Sequence, residues 1–536
     1  MGKVWNKKMW QFSEACEVSS TDRFVLLILT MAGVISIVNF AEWWFRGEHV
    51  SNLTSFVILS LFFWYAIFRI TLIWINYLRL QKPVVVPGPD DNLSVAIFTT
   101  SAPGEPLSMF EKTFEALNNV RYPHKTYLLD STEDPAFRAL AEKYNITWLE
   151  LVNFPGAKAG KVNEALRLTN EDFILIIDPD HIAFPNILDQ TLGFFKDDKV
   201  GFVQVSQGYY NQYRSFTARA AAEQTYTFYG PTQMGLAGYG SAVAIGANCT
   251  FRRKALESIG GHAEGLAEDL LTSIRLHAKG WKSVYNPVIV NRGLVPEDLT
   301  SFYKQQLKWA RGTFEILFDE IPKVFRKLSF WQRVAYLSIS TYYFTGTATL
   351  FFMLIPFFYF MTGIIPGRMT FLDFVLHGLP VLIIAGAIYA YIQKFLCHPA
   401  TERKFHWRGM ILKYSSWPVY FYGFLLALAN KKIPYLPTAK KALIGSITSF
   451  VRPLFVYCLM FILLVVAVYI DRRYYVPESE LAFTAERVYG MLGFAFIAFL
   501  QSVIGIFAAL ETLWLKEDEP WNKIDVSKIN TDNQIK

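Results

Sequence analysis

The chain has 536 residues, 52% of them hydrophobic and 18% charged, a balance that argues against a disordered or highly charged protein and makes membrane spans the first thing to seek. The formal net charge of +7 is read through the loops beside those spans, not as a nucleic-acid footprint. Four scattered cysteines, Cys16, Cys249, Cys397 and Cys458, form no metal-spaced pair, so a thiolate metal site is excluded and a reducing side is expected for the soluble part.

In chain order, apolar runs occupy 24–40 and 55–78, then 332–363, 378–396, 408–430, 450–470 and 488–511, with none between 86 and 330. The first follows about 23 polar residues without a small-residue cleavage pattern, so it reads as a retained anchor. Lys3, Lys7, Lys8 and Arg23 precede the first run, and Arg403, Lys404, Arg408 and Lys413 follow the fourth. Both places therefore read as cytoplasmic. Arg472 and Arg473 run against that rule beside Asp471, Glu478 and Glu480. The expected organisation is an N-terminal membrane region over 1–85 with two spans, an α/β domain over 86–330, a second membrane region over 331–515, and a polar cytoplasmic tail over 516–536.

Within 86–330, β-rich apolar segments alternate with helical periodicity: "LSVAIFTT", "MFEKTFEALNNV", "TYLLD", "AFRALAEKYN", "TWLELV", "KAGKVNEALRL" and "FILIID". Repeated βα units predict a mostly parallel sheet covered by helices. Ligands of such sheets bind beyond the carboxyl ends of the strands, where Asp130, Asp178 and Asp180 fall. In "FILIIDPDHIAFP" (173–185) two carboxylates separated by one residue can reach one hard divalent cation, Mg2+ or Mn2+, and His181 could add a nitrogen ligand. An Asp-x-Asp with proline also suits a plain surface turn, and its company decides between the two. Glu268 and Asp269 stand at a helix start, while Gln305, Lys308 and Trp309 in "KQQLKWARG" share one helix face. An aromatic plane beside a cation and an amide suits a sugar ring stacked next to a pyrophosphate.

These residues resemble the membrane-embedded, processive family 2 glycosyltransferases, and among them the bacterial cellulose synthase catalytic subunits. The resemblance implies a GT-A (Rossmann-like) α/β cytoplasmic domain inserted between α-helical transmembrane segments of an integral plasma or inner membrane protein. By that resemblance Asp130 contacts the uridine nucleotide, Asp178 and Asp180 hold the metal, Glu268 with Asp269 supplies the base, and Gln305, Lys308 and Trp309 contact donor diphosphate and acceptor. "AKAGKVN" around Lys158, "VGFVQVSQGYYN", "FYGPTQMG", "FRRKALESIGG" and the Gly280-Trp281 pair follow in family order. "IPYLPTAKK" is similar to a Phe-x-Val-Thr-x-Lys gating loop (431–441) through Tyr435, Thr438 and Lys440. That loop works only on the side of the soluble domain, so 408–430 is expected to lie at the interface as one amphipathic helix, leaving two spans before the domain and four after it.

The sequence departs from the family where sugar and polymer would lie. Lys308 replaces the usual arginine and loses its bidentate fork. "TTSAPGEP" has Glu105 without a preceding Tyr-Asn, "LLDSTED" has one aspartate where two are common, and "AIGAN" (244–248) stands for Phe-Cys-Gly-Ser. No PilZ-like segment follows the last span, so control by cyclic di-GMP through this chain is not expected. The function implied is inverting, processive polymerisation of a UDP-hexose, foremost UDP-glucose into a β-glucan such as cellulose, with export through the protein's own spans. The partners implied are the UDP-sugar donor, the growing polysaccharide, membrane lipid and an accessory export subunit, with no nucleic acid. The alternatives are a chitin- or hyaluronan-like synthase using UDP-GlcNAc, a non-processive transferase to a lipid acceptor, and a channel with an inactive domain.

Overall fold

The computed structural model describes residues 7–152, 154–434, 440, 448–474, 485–515 and 519–529. Two long apolar helices come first, α1 (Ser20–Trp44) and α2 (Leu53–Tyr77). A capping box starts α1: Ser19 Oγ accepts from Asp22 N–H at 3.1 Å while the Asp22 carboxylate accepts from Ser19 N–H at 2.9 Å, satisfying donors that a helix start leaves orphaned.

The central domain is built on seven strands: β1 (Val95–Thr100), β2 (Lys125–Asp130), β3 (Thr147–Glu150), β4 (Phe173–Ile176), β5 (Val200–Val205), β6 (Cys249–Arg252) and β7 (Lys282–Asn286). They lie in the order 7-5-6-4-1-2-3. Only β6 runs antiparallel to its neighbours in this sheet. Residues 95–98 of β1 and all of β4 are continuous apolar runs because both faces are covered. Ile97, Leu128, Leu175 and Val203 pack into one core, and Phe98, Leu129, Ile174 and Phe202 into the other. From β1 the chain winds outward to β2 and β3, then returns to place β4 on the opposite side of β1. The loops diverge at that reversal and open a crevice at the carboxyl ends. A small three-stranded sheet of Ile182–Ala183, Asn291–Gly293 and Gly208–Tyr209 roofs its edge.

The helices that matter for the site are α3 (Leu107–Asn118), α4 (Ala157–Leu168), α5 (Glu268–Ala278) and α6 (Leu299–Glu315). Beyond them come α7 (Phe330–Ser340), α8 (Phe344–Thr362), α9 (Phe371–Ile392), α10 (Trp407–Ser415), α11 (Trp417–Leu428), α12 (Thr448–Tyr474) and α13 (Ala485–Glu511). Among the described residues six helices are long and apolar enough to cross a membrane, two before the α/β domain and four after it. The fold is an α/β domain inserted among membrane helices.

Four expectations need correction. The run 332–363 is two helices, because α2 side chains take the carbonyls that would continue the first. Tyr65 OH donates to Thr341 O at 2.6 Å and Arg69 donates to Ser338 O, which ends α7. The run 408–430 is likewise α10 and α11, broken at Ser416, since Pro418 has no N–H to donate and in a continuous helix its ring would clash with the carbonyl of Tyr414. At roughly 18 Å, α11 is too short to span a bilayer core.

The region 1–85 is not membrane alone: Met9, Trp10 and Phe12 sit in a domain core, and Ser13–Glu14 pairs with Val288–Ile289. The segment read as a polar tail is also docked over 519–529. Trp521, Ile524, Val526 and Ile529 join the same core, and Trp521 Nε1 donates to Ser108 Oγ of α3 at 3.0 Å. The segments before α1 and after α13 thus lie on one face with the domain. Trp521→Ala should cost about 3–5 kcal/mol, as truncation of a fully buried tryptophan does, and a melting curve of the detergent-purified protein measures it.

Candidate active site

Asp130 ends β2, and four donors hold its carboxylate in the crevice. Thr132 donates from N–H at 3.0 Å and from its hydroxyl at 2.8 Å, Trp148 Nε1 of β3 donates at 2.9 Å, and Ser101 donates its hydroxyl. Next to it, Lys161 Nζ of α4 donates to Ser101 O at 2.6 Å and to Ser131 Oγ at 3.0 Å. Trp148 and Lys161 were not singled out from the sequence. Lys161 lies three residues beyond Lys158, and that helical spacing in "AKAGKVN" was the available signal.

Asp178 and Asp180 follow β4 after one further residue, with Asp180 and His181 buried and Asp178 half-buried. The ligand atoms of Asp178, Asp180 and His181 lie within 4.8 Å of one another. Lys158 Nζ pairs with Asp178 and donates to Gly246 O at 2.5 Å, while Lys440 Nζ donates to Asp180 Oδ2 at 2.9 Å. Burial alone would raise both carboxyls, yet Lys158 beside Asp178 and Lys440 beside Asp180, with His181 near each, hold them below the usual carboxylate range. Glu105 accepts from Ala102 N–H at 2.9 Å. Burial pushes it up to about 7 against the pull of Lys440. Of the anticipated loop residues, Lys440 reaches the site, and Tyr435 and Thr438 lie outside the described residues.

Glu268 and Asp269 open α5, where the helix N-terminus favours negative charge. Leu270 N–H donates to Asp269 Oδ1 at 2.8 Å. Burial, then the neighbouring Glu268, pushes Asp269 up to about 7, the range of a group that can take a proton near neutral pH. Gly246 adopts φ +84°, and a Cβ there would come within 3.3 Å of Asp269 Oδ2.

Gln305, Lys308 and Trp309 lie on α6 and line one cavity of about 490 Å3 with Asp178, Glu268 and Asp269. Burial lowers the Lys308 ammonium against the pull of those acids. The far end of the cavity is walled by Arg69 of α2, Tyr342 between α7 and α8, and Lys413 of α10. A second cavity of about 120 Å3, lined by Asp180, His181 and Lys440, also reaches Gln305 and Trp309. These two side chains therefore stand where the acids' crevice meets the passage toward the membrane helices.

The sheet order, the acids at its carboxyl edge and a cavity running to apolar helices define a GT-A glycosyltransferase domain of a membrane protein. The chain belongs to glycosyl transferase family group 2, whose profile matches residues 173–498. It is 25% identical over 391 residues to a cellulose synthase catalytic subunit [UDP-forming] of Pseudomonas fluorescens, covering 69% of this chain and 52% of that protein. It is 30% identical over 321 residues to one of Komagataeibacter sucrofermentans, covering 57% and 42%. The chain spans about half the length of these curated relatives. A mannosyltransferase from Pyrobaculum calidifontis, solved with GDP-Man and Mn2+, superposes loosely, with a TM-score of 0.46 at 17% identity over 71% of this chain and 99% of its own.

Proposed function

We propose that the protein is a processive, inverting glycosyltransferase that polymerises a UDP-hexose, foremost UDP-glucose into a β-glucan, and passes the polymer between its own membrane helices. The observation that carries this reading is the single cavity joining Asp269 and Trp309 to α2, α7 and α10. A transferase moving one sugar to a lipid phosphate has no use for an aromatic platform at the mouth of such a passage. The domain is assigned to the cytoplasmic side, supported by Arg403, Lys404 and Arg408 beside it and by the docking of the segments before α1 and after α13.

Asp178 and Asp180 fit a divalent cation, Mg2+ or Mn2+: both are held ionised, and carboxylate oxygens suit hard cations. Held there, such an ion would supply positive charge to offset that on the departing diphosphate. The chain's own residues do the rest. Asp130, with Trp148 beside it, receives the uridine side of the donor. Lys308 brings a second positive charge to the diphosphate. Asp269 takes the proton of the acceptor hydroxyl as its oxygen bonds to the anomeric carbon and the bond to diphosphate breaks. Trp309 stacks on the acceptor ring, whose flat contact tolerates sliding after each addition. Lys440 pairs with Asp180 and lies within electrostatic reach of Glu105, and it belongs to the segment proposed to close over the donor.

Vesicles carrying the protein, given labelled UDP-glucose or UDP-GlcNAc in parallel, test the donor. Insoluble polymer from UDP-glucose that a β-glucan hydrolase digests is expected, and a product limited to one sugar on lipid would reject the reading.

A further inference from the structure

His181 lies beside the proposed metal carboxylates, but neither ring nitrogen is free. Its Nδ1 faces Asp180 Oδ1 at 2.9 Å and its Nε2 faces Gln207 Nε2 at 2.6 Å. Gln207 is in turn oriented from behind: Asn248 Nδ2 donates to Gln207 Oε1 at 2.7 Å. With its oxygen occupied, the Gln207 carboxamide can present only its NH2 group to the ring. His181 Nε2 must then accept, so the ring proton sits on Nδ1 and is donated to Asp180. The ring has little room to turn, since it lies against Gly293, where an added Cβ would overlap it.

Three separate stretches of chain meet to build this line. The small sheet pairs Arg292 with both Ile182 and Gly208, which sets His181, Gln207 and Gly293 side by side. Asn248 arrives from the loop before β6 with φ +60°, a left-handed conformation that asparagine tolerates better than most residues. All three polar side chains are buried. Among the described residues Asn248 Oδ1 has no partner, a desolvation cost accepted while Nδ2 is aimed at Gln207.

We infer that Gln207 and Asn248 are positioning residues for the metal carboxylate: they fix the tautomer and tilt of His181, which orients Asp180 from behind. This rests on the assignment of a divalent cation to Asp178 and Asp180. An outer hydrogen bond of this kind fixes the direction of a ligand's lone pairs, and its loss typically weakens metal binding about ten- to a hundredfold. Gln207→Met keeps the length and bulk of the side chain but cannot donate to the ring. Asn248→Gly keeps the left-handed backbone but frees the Gln207 carboxamide to turn over.

The test is Mn2+ titration of the purified full chain, followed by electron paramagnetic resonance, without nucleotide and therefore without turnover. Gln207→Met should bind Mn2+ about tenfold more weakly, with its metal-free affinity for UDP unchanged and its melting temperature lowered, since it orphans the buried nitrogens of His181 and Asn248. Asn248→Gly should move in the same direction by a smaller factor, and it carries the test if Gln207→Met does not fold. Mn2+ affinity within about twofold of wild type in the folded variant overturns the positioning role. Wild-type affinity that Asp180→Asn leaves unaltered would overturn the metal assignment itself, and with it this inference.

Discussion

Asp180→Asn is expected to lower sugar transfer at least about a hundredfold, because a metal clamp supplies several kcal/mol of transition-state stabilisation and about 1.4 kcal/mol is worth a factor of ten. The amide is isosteric but neutral. It cannot offset the cation's charge, and it would present either an oxygen without negative charge or an NH2 group. Lys440, whose ammonium is held by Asp180, would lose its partner at the same time. Asp178→Asn should behave alike through Lys158. UDP release from the purified variant at saturating Mg2+ measures the effect, and a melting curve shows that the fold survives. Near-normal transfer by either variant in the presence of a chelator would remove the metal from the scheme.

Asp269→Asn should slow transfer by about 100- to 10,000-fold while leaving UDP-sugar affinity unaltered, the signature of a lost general base. The wild-type protein should report the same group through pH. Burial and Glu268 raise Asp269 to about 7, so the ionised, proton-accepting form is scarce below that value and dominant above it. The rate should therefore fall about tenfold per pH unit below about 7 and level off above it. Asparagine at 269 should abolish this limb. Equal losses of affinity and rate would make Asp269 a binding residue instead.

Much of the site was legible because its chemistry is local in sequence. Asp130 and Asp178 lie at the ends of apolar strands, and Gln305, Lys308 and Trp309 share one helical face, each legible from periodicity, while the resemblance joined the two groups into one site. What escaped depends on distant partners. Trp148 reaches Asp130 across a strand pair, and Asn248 reaches His181 only through Gln207, so no spacing rule connects them. The helix breaks at Thr341 and Ser416 fall inside continuous apolar runs, where hydropathy shows no seam. At Ser416 the clue was Pro418, whereas at Thr341 the cause lies on α2. The docked segment 519–529 was read as a tail because four apolar residues among eleven look polar on average, although all four are buried. Low mean hydropathy conceals a short segment that completes another element's core.

In the proposed cycle one site repeats its chemistry on a sugar chain entering the membrane passage, and Trp309 stands where crevice and passage meet. The most direct measurement is product length against UDP released, in vesicles carrying wild type or Trp309→Ala. Wild type should give long polymer with many UDP released per chain, while Trp309→Ala should lose long polymer and keep slow UDP-sugar hydrolysis, since the metal acids and Lys308 remain. Full-length polymer from Trp309→Ala would remove the stacking role, and one UDP per product chain from wild type would rule out processive synthesis.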